Sequence, residues 1–206
     1  GDGVVDVAVS SNYDDDGGAN FGAIYILFLN PDGTVKSAQK ISTTQGGLPP
    51  VLKQHDEFGR SIVNLGDLDG DGVSDLLVGA HTDDDGVLYG LDRGSVYILF
   101  LYPNGFVKSW QKISDLSGNF SGHLDPSDQF GRAAACLGDL DGDGVVDVAV
   151  SSNYDDDGGA NKGAIYILFL NTDGTVKGSQ KISSTQGGLP NVLKMHDEFG
   201  RSIVNL

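Results

Sequence analysis

Glutamate is almost absent from this acidic chain. The sequence has 29 acidic residues and a formal net charge of −16, yet only Glu57 and Glu198 are glutamate and the other 27 are aspartate. Glutamate favours helices, whereas aspartate favours turns and short metal-binding loops. Together with 31 glycines and few segments of helical period, this composition predicts an all-β protein.

Three further absences narrow the range of functions. Only 13 residues are lysine or arginine, so nucleic acid and anionic membrane surfaces would repel the chain, and neither is an expected partner. The longest apolar runs, such as Ala23 to Leu29, are far shorter than the roughly 20 residues of a membrane-spanning helix, which argues against membrane insertion. A single cysteine, Cys136, excludes an internal disulfide framework.

The sequence does contain an internal repeat. Phe-Gly-Arg begins at Phe58, Phe130 and Phe199, which are 72 and 69 residues apart. Residues 1–65 align without gaps on residues 142–206 and differ at only seven positions. A fixed period of this kind is typical of repeat architectures. We divide the chain into three blades, which span residues 1–69, 70–141 and 142–206.

Each repeat is predicted to hold four short strands in an antiparallel meander. Asn-Gly and Asp-Gly turns at Asn104, Asp32 and Asp173 are strong hairpin signals and separate the third strand from the fourth. In the middle copy the strands run from Ser61 to Leu65, from Asp75 to Gly79, from Ser95 to Leu101 and from Phe106 to Ile113.

The third and fourth strands differ in their surfaces. The third strand, Ile24 to Leu29 in the first copy, is apolar on both faces, which fits a blade packed between two neighbours. The fourth carries lysines four residues apart, such as Lys108 and Lys112, and lysine on an edge strand discourages edge-to-edge pairing. We therefore predict blades of the β-propeller type with the fourth strand at the outer rim, in either a closed propeller or an open superhelical array.

The sharpest motif is a nine-residue aspartate loop, Asp67 to Asp75, which recurs as Asp139 to Asp147. Carboxylates at positions one, three, five and nine and a backbone carbonyl at position seven offer the oxygen ligands that Ca²⁺ prefers. Without an ion these aspartates would repel one another, so we expect the metal to support folding. The predicted ligands are Asp67, Asp69, Asp71, Val73 and Asp75 in one loop and Asp139, Asp141, Asp143, Val145 and Asp147 in the other.

Two other interpretations of this loop compete. One is an aspartate-glycine hairpin that holds no ion, but two complete copies in register weigh against it. The other is an EF-hand, which requires a glutamate at position twelve. That position is Val78 or Val150, within a strand-like segment, so we reject the helical version.

Half of the same loop opens the chain. Residues 1–6 match loop positions four to nine, so Asp2, Val4 and Asp6 are predicted to belong to a third calcium site that an adjoining copy completes. Leu206 is equivalent to Leu65, just before the next loop would begin. We expect both ends to interrupt a longer array.

A second acidic cluster lies between the second and third strands of each repeat. It consists of residues 14–16, with equivalents at 83–85 and 155–157, and each is a run of three aspartates. We interpret it as a solvated acidic turn, and a further calcium site stays open as the alternative.

Catalytic motifs are not found. The sequence shows no nucleophile elbow, no phosphate-binding glycine loop, and no carboxylate pair outside the calcium-type loops. The four histidines are not grouped with a serine nucleophile and an acid. We therefore expect a protein that is not an enzyme.

Taken together, these elements resemble the FG-GAP repeat family, the β-propeller repeats of integrin α subunits and of many bacterial surface proteins. Phe58-Gly59 corresponds to the FG element, Gly79-Ala80-His81 to the GAP element, and the loop from Asp67 to Asp75 to the calcium site. The resemblance implies Ca²⁺ as the cofactor, an extracellular or cell-surface location, and adhesion or scaffolding as the role.

Two functions remain. A lattice or fibre needs the same contact between each pair of neighbouring copies, and near-identical repeats can supply it. We therefore expect a calcium-stabilised structural or adhesive module whose copies join head to tail, as in a fibre. The alternative is a closed propeller that recognises a glycan or protein ligand through exposed aromatic residues. Its candidate contacts are Tyr13, Tyr89, Tyr154 and Phe120.

Overall fold

The computed structural model describes residues 3–85 and 91–206. In these residues the chain forms eleven β-strands and no helix, which confirms the all-β prediction. The strands are β1 (Val7–Ser11), β2 (Ala23–Leu29), β3 (Val35–Ile41), β4 (Ile62–Gly66), β5 (Asp75–Ala80), β6 (Ser95–Leu101), β7 (Val107–Ile113), β8 (Phe130–Gly138), β9 (Asp147–Ser152), β10 (Ala164–Leu170) and β11 (Val176–Ile182).

The strands form three antiparallel sheets, each in simple chain order. We call β1 to β3 the first sheet, β4 to β7 the second sheet and β8 to β11 the third sheet. The second and third sheets are the predicted four-stranded blades, and the first sheet has three strands. The sequence boundaries at 69/70 and 141/142 lie in the loops after β4 and β8, so each four-stranded sheet begins one strand before its sequence repeat does.

The fourth strand of each repeat lies at a sheet edge, as predicted. Within the described residues, β3, β7 and β11 each pair with one neighbour only. The second sheet shows the register: Leu77 lies opposite Ile98, and Ile98 lies opposite Gln111. All three sheets shift register at the same place, between Phe100 and Leu101 in the second sheet. The sheets are therefore copies of one hairpin geometry.

The second sheet is packed on both faces. All seven residues of β6 are buried. Tyr97 and Leu99 belong to the core cluster shared with the first sheet, whereas Ile98 and Phe100 belong to the cluster shared with the third sheet. Successive residues of a strand point to opposite faces, so the continuous apolar run of the sequence corresponds to a blade between two neighbours.

The Phe-Gly element joins each sheet to the next. The buried ring of Phe130 packs edge-on against Tyr166 with 5.7 Å between ring centroids. Gly131 follows with a φ of +93°, and a Cβ at this position would lie 2.3 Å from the carbonyl oxygen of Ser95 in the second sheet. Glycine alone tolerates both the positive φ and this close approach. The element thus fixes how β8 starts against the second sheet.

Within the described residues, no helix is long and apolar enough to cross a membrane.

Candidate metal-binding loops

The first aspartate of each loop organises the loop backbone. The carboxylate of Asp67 accepts hydrogen bonds from the backbone N–H groups of Asp71, at 2.9 Å, and Gly72, at 2.8 Å. Asp139 accepts equivalent bonds from Asp143, at 3.0 Å, and Gly144, at 2.9 Å. Such aspartate turns hold the chain in a tight curve, which turns the other carboxylates toward the same point.

Several carboxylates converge in each loop. Oxygen atoms of Asp67, Asp69 and Asp71 lie within 4.8 Å of one another, and so do oxygen atoms of Asp139, Asp141 and Asp147. Calcium takes oxygen ligands at about 2.3–2.6 Å, so ligands on opposite sides of one ion are about 5 Å apart. The residues present therefore fit a divalent cation in number, chemistry and spacing.

The ninth position ties the loop to the middle of its sheet. Asp75 is 1% exposed, and its two carboxylate oxygens accept N–H groups from Leu68, at 2.9 Å, and from Leu101 of β6, at 3.1 Å. Burial raises the pKa of Asp75, and these two donors oppose that shift. Asp147 makes the same two bonds, to Leu140 and Leu170.

The two loops do not bring together the same predicted ligands. Positions one and three converge in both loops, position five joins them in the first loop, and position nine joins them in the second. At position seven, the N–H groups of Val73 and Val145 each donate to the position-five aspartate at 2.9 Å, which tightens the turn. That their carbonyls bind calcium stays a prediction.

Lysines of the edge strands contact these loops. These contacts were not predicted from the sequence. The Nζ of Lys108 lies 2.6 Å from Oδ2 of Asp69 and also contacts Asp71. Lys177 lies 2.7 Å from Asp141 and contacts Asp143 in the same way. The ammonium of Lys108 lowers the pKa of Asp71. The aspartates at positions three and five thus each pair with a lysine ammonium. The sequence signal that could have predicted this pairing is the strand order, which places β7 near the loop.

The runs of three aspartates are bridged by the other edge-strand lysine. The Nζ of Lys112 lies 3.0 Å from carboxylate oxygens of both Asp83 and Asp85, and Ser114 donates its hydroxyl to Asp85 at 2.7 Å. Lys40 and Lys181 bridge the equivalent pairs in the first and third sheets. Although burial alone would lower the pKa of Lys112, its two carboxylate partners raise it.

These clusters are therefore turns in which one lysine offsets part of the charge of three aspartates. The middle aspartate, Asp84, accepts the backbone N–H groups of Leu91, at 2.8 Å, and Asp92, at 3.0 Å. Asp83 and Asp155 are buried, so the description of the turn as solvated was wrong for these two residues. For Asp83 the reason is that the ammonium of Lys112 and the hydroxyls of Ser95 and Tyr97 replace water as partners of its carboxylate. For Asp155 the ammonium of Lys181 takes this place.

The half loop keeps one hydrogen bond of the complete loops. Oδ1 of Asp6 accepts the N–H of Leu29 at 3.0 Å, as Asp75 does for Leu101. Val4 lies at a groove between the first and second sheets, and Asp2 lies outside the described residues. The first sheet thus keeps the position-nine anchor of the motif.

The aromatic residues proposed as ligand contacts lie in different environments. Tyr13 is 62% exposed, Tyr154 lies under the guanidinium of Arg132, and Tyr89 is outside the described residues. Phe120 is only 7% exposed and stacks on Phe130 with 5.2 Å between centroids. Its prediction as an exposed contact was wrong, because the longer loop of the middle repeat folds this ring into the core.

The fold and its loops define a class: tandem antiparallel blades of the β-propeller type, with an aspartate loop between the first and second strands of each four-stranded blade. Comparison with known families agrees with this class. The FG-GAP repeat model matches residues 58–99 and 131–168. The chain thus carries FG-GAP repeats, which confirms the resemblance drawn from its motifs.

Relatives found by comparison include integrin alpha chains. Integrin alpha-PS2 of Drosophila melanogaster is 39% identical over 132 residues, which are 63% of this chain and 9% of the relative. Integrin alpha-4 of Xenopus laevis is 32% identical over 150 residues, 72% of this chain and 13% of the relative. Integrin alpha-3 of Cricetulus griseus is 30% identical over 191 residues, 89% of this chain and 15% of the relative. The chain therefore spans a small part of each relative.

Proposed function

We propose that this chain is a calcium-stabilised, non-catalytic extracellular module that serves adhesion or builds a repetitive structure. The observation that carries the proposal is the convergence of three carboxylates in each of two equivalent loops, at spacings that suit one divalent cation. Similarity to integrin alpha chains supports an adhesive role at the cell surface.

The position of the loop explains how an ion would stabilise a blade. The loop joins β4 to β5, Asp75 at its end holds the N–H of Leu101 in β6, and Lys108 of β7 contacts its aspartates. All four strands of the second sheet thus meet at one loop. A bound Ca²⁺ would supply the positive charge that offsets repulsion among the clustered carboxylates.

Head-to-tail assembly of copies is part of this proposal. It is supported by the near identity of the first and third repeats. Ligand recognition through aromatic side chains has weaker support, because Phe120 is buried and Tyr154 packs under Arg132.

Calcium titration by calorimetry tests the metal sites. We expect two sites for the wild-type chain, one for Asp69→Asn or Asp141→Asn, and none of comparable affinity for the double variant. Asp16→Asn is the matched control, because this aspartate also pairs with a lysine but lies in the other type of loop. Equal calcium binding by the wild type and the double variant would contradict the proposal.

A further inference from the structure

The middle repeat carries one motif that the function proposed above does not use. Asn119-Phe120-Ser121 is an Asn-x-Ser tripeptide, the acceptor pattern for N-linked glycosylation. It is the only Asn-x-Ser or Asn-x-Thr tripeptide among the 206 residues. Because such tripeptides also occur by chance, the place of this one in the fold has to be considered.

Two changes relative to the other repeats create the motif. Residues 113–130 align without gaps on residues 41–58 of the first repeat and on residues 182–199 of the third. Asn119 stands where both other repeats have glycine, and Ser121 stands where both have proline. The replaced residues are Gly47 and Pro49 in the first repeat and Gly188 and Pro190 in the third. The motif therefore belongs to the middle repeat alone and needs both changes.

The backbone explains the asparagine but not the serine. Asn119 has a φ of +58°, and the equivalent Gly47 and Gly188 have φ values of +86° and +76°. This left-handed region favours glycine, and asparagine adopts it more readily than most other residues do. The turn thus accounts for an asparagine at position 119. It places no such demand on Ser121, two residues further along the chain.

The side chains of the tripeptide alternate between surface and core. Asn119 and Ser121 are exposed, whereas Phe120 is only 7% exposed. The ring of Phe120 stacks on Phe130 and meets Tyr166 edge-on, with 5.2 Å between centroids in both pairs. The buried ring therefore fixes the segment, and the two side chains that define the acceptor motif lie at the surface.

The amide of Asn119 is available for modification. Within the described residues its side chain has no hydrogen-bond partner. A sugar attached to its Nδ2 atom would break no hydrogen bond of the folded chain and would leave no buried polar group unpaired. The fold can therefore hold a glycan at this position as it stands.

The segment lies beside the edge strand of the third sheet. The carbonyl of Gly118 accepts the N–H of Val176 at 2.8 Å, and the hydroxyl oxygen of Ser121 lies 3.4 Å from that of Ser179 in β11. Edge strands offer unpaired backbone groups to other chains unless something covers them. A bulky, hydrated glycan on Asn119 would stand next to this edge.

We propose that Asn119 is an acceptor for an N-linked glycan. Its Nδ2 atom forms a bond to the anomeric carbon of a sugar, a lipid pyrophosphate leaves that carbon, and the amide loses one proton. The sugar donor is a lipid-pyrophosphate-linked oligosaccharide of a glycosylating secretory pathway. This inference rests on the extracellular location proposed above, and it involves no residue of the aspartate loops.

Mass spectrometry tests the site after expression of the 206-residue chain behind a cleavable secretion signal in a eukaryotic cell. Cell-associated and secreted chains are both measured, so the result does not depend on export. We expect the peptide that contains Asn119 to carry a mass increase that peptide N-glycosidase removes. In heavy-oxygen water this enzyme converts the modified asparagine to labelled aspartate. Wild-type chain without a sugar on Asn119 in both fractions would overturn the proposal.

Variants separate an acceptor from a residue that only shapes the turn. Asn119→Gly introduces the residue that the other repeats have at this positive φ, so the fold should be kept and the glycan lost. Ser121→Ala leaves the asparagine in place and should also abolish the glycan, whereas Ser121→Thr should retain it. Asn104→Gln, at an exposed asparagine outside the motif, is the matched control and should carry as much glycan as the wild type. A glycan that persists in Asn119→Gly or Ser121→Ala contradicts the assignment.

Calcium titration of the same samples separates this inference from the metal sites. Glycosylated wild type and Asn119→Gly both keep the two complete aspartate loops and should bind calcium alike. A glycan on Asn119 in a chain that binds no calcium supports the acceptor site and contradicts only the metal sites. Calcium binding by a chain whose Asn119 is unmodified overturns only the acceptor site.

Discussion

The same five residues, Val-Ala-Val-Ser-Ser, form β1 in the first sheet and most of β9 in the third sheet. In β9 all of them are buried, whereas in β1 none is. The local sequence is identical, so the difference arises from what lies beside each strand. β9 has β8 as a first-strand partner, and β1 has none among the described residues. Burial in this chain is therefore a property of neighbouring repeats, as in other repeat proteins.

The largest expected effect concerns the junction between the second and third sheets, where Asp128 precedes β8. It should appear as a change in the pH dependence of the free energy of unfolding. Burial, followed by the nearby Asp155 carboxylate, raises the pKa of Asp128 to about 7. A raised carboxyl pKa contributes stability that is fully present below the unfolded value near 4 and is lost as the pH rises through about 7. We expect Asp128→Asn to remove up to about 4 kcal/mol of the change in unfolding free energy between pH 4 and pH 8.

Urea unfolding at several pH values with a calcium chelator measures this change. Asp197, the equivalent residue of the third repeat, is exposed, and Asp197→Asn serves as the matched control. Parallel pH curves for the wild type and Asp128→Asn would show that Asp128 does not hold a proton in the folded chain.

A smaller effect is expected from equivalent valines in the two regions. Val150→Ala removes buried side-chain volume and should lower the free energy of unfolding by about 2–3 kcal/mol. Val9→Ala changes an exposed residue of β1 and should lower the free energy of unfolding by no more than about 0.5 kcal/mol in dilute solution. Equal costs, measured by urea unfolding at low protein concentration, would contradict the difference between the two edges.

The smallest effect concerns the lysine at the aspartate loop. Lys108→Met removes an ammonium that contacts Asp69 and Asp71, and a positive charge beside these carboxylates opposes the binding of another cation. Calcium should then bind this loop roughly fivefold more tightly. Lys53→Met, at an exposed lysine, is the control for net charge. Weaker calcium binding in Lys108→Met would show that the lysine supports the site instead of competing for it.

Much of the fold was predictable because the repeat supplies three copies of each signal. The four strands of the middle repeat were placed within one residue of their observed ends, and the lysine-bearing strand was placed correctly at the edge. The convergence of Asp67, Asp69 and Asp71 follows from their spacing in a tight loop.

What could not be predicted depends on contacts between distant segments. The lysines of β7 were assigned to edge protection, whereas Lys108 and Lys112 each bridge two carboxylates of loops that are far away in sequence. Phe120 has the polar neighbours of a surface loop but is buried against Phe130. The exposure of β1 could not be predicted from its own five residues, because the same residues are buried in β9.

A crystal structure of the chain grown with Ca²⁺, with the ion located by anomalous scattering, tests the central claim most directly. We predict one ion in each complete loop, bound by Asp67, Asp69 and Asp71 in the first and by Asp139, Asp141 and Asp147 in the second, with Lys108 and Lys177 displaced from the carboxylates. Loops that hold no ion at saturating calcium, with both lysines still between their aspartates, would contradict a calcium-stabilised module.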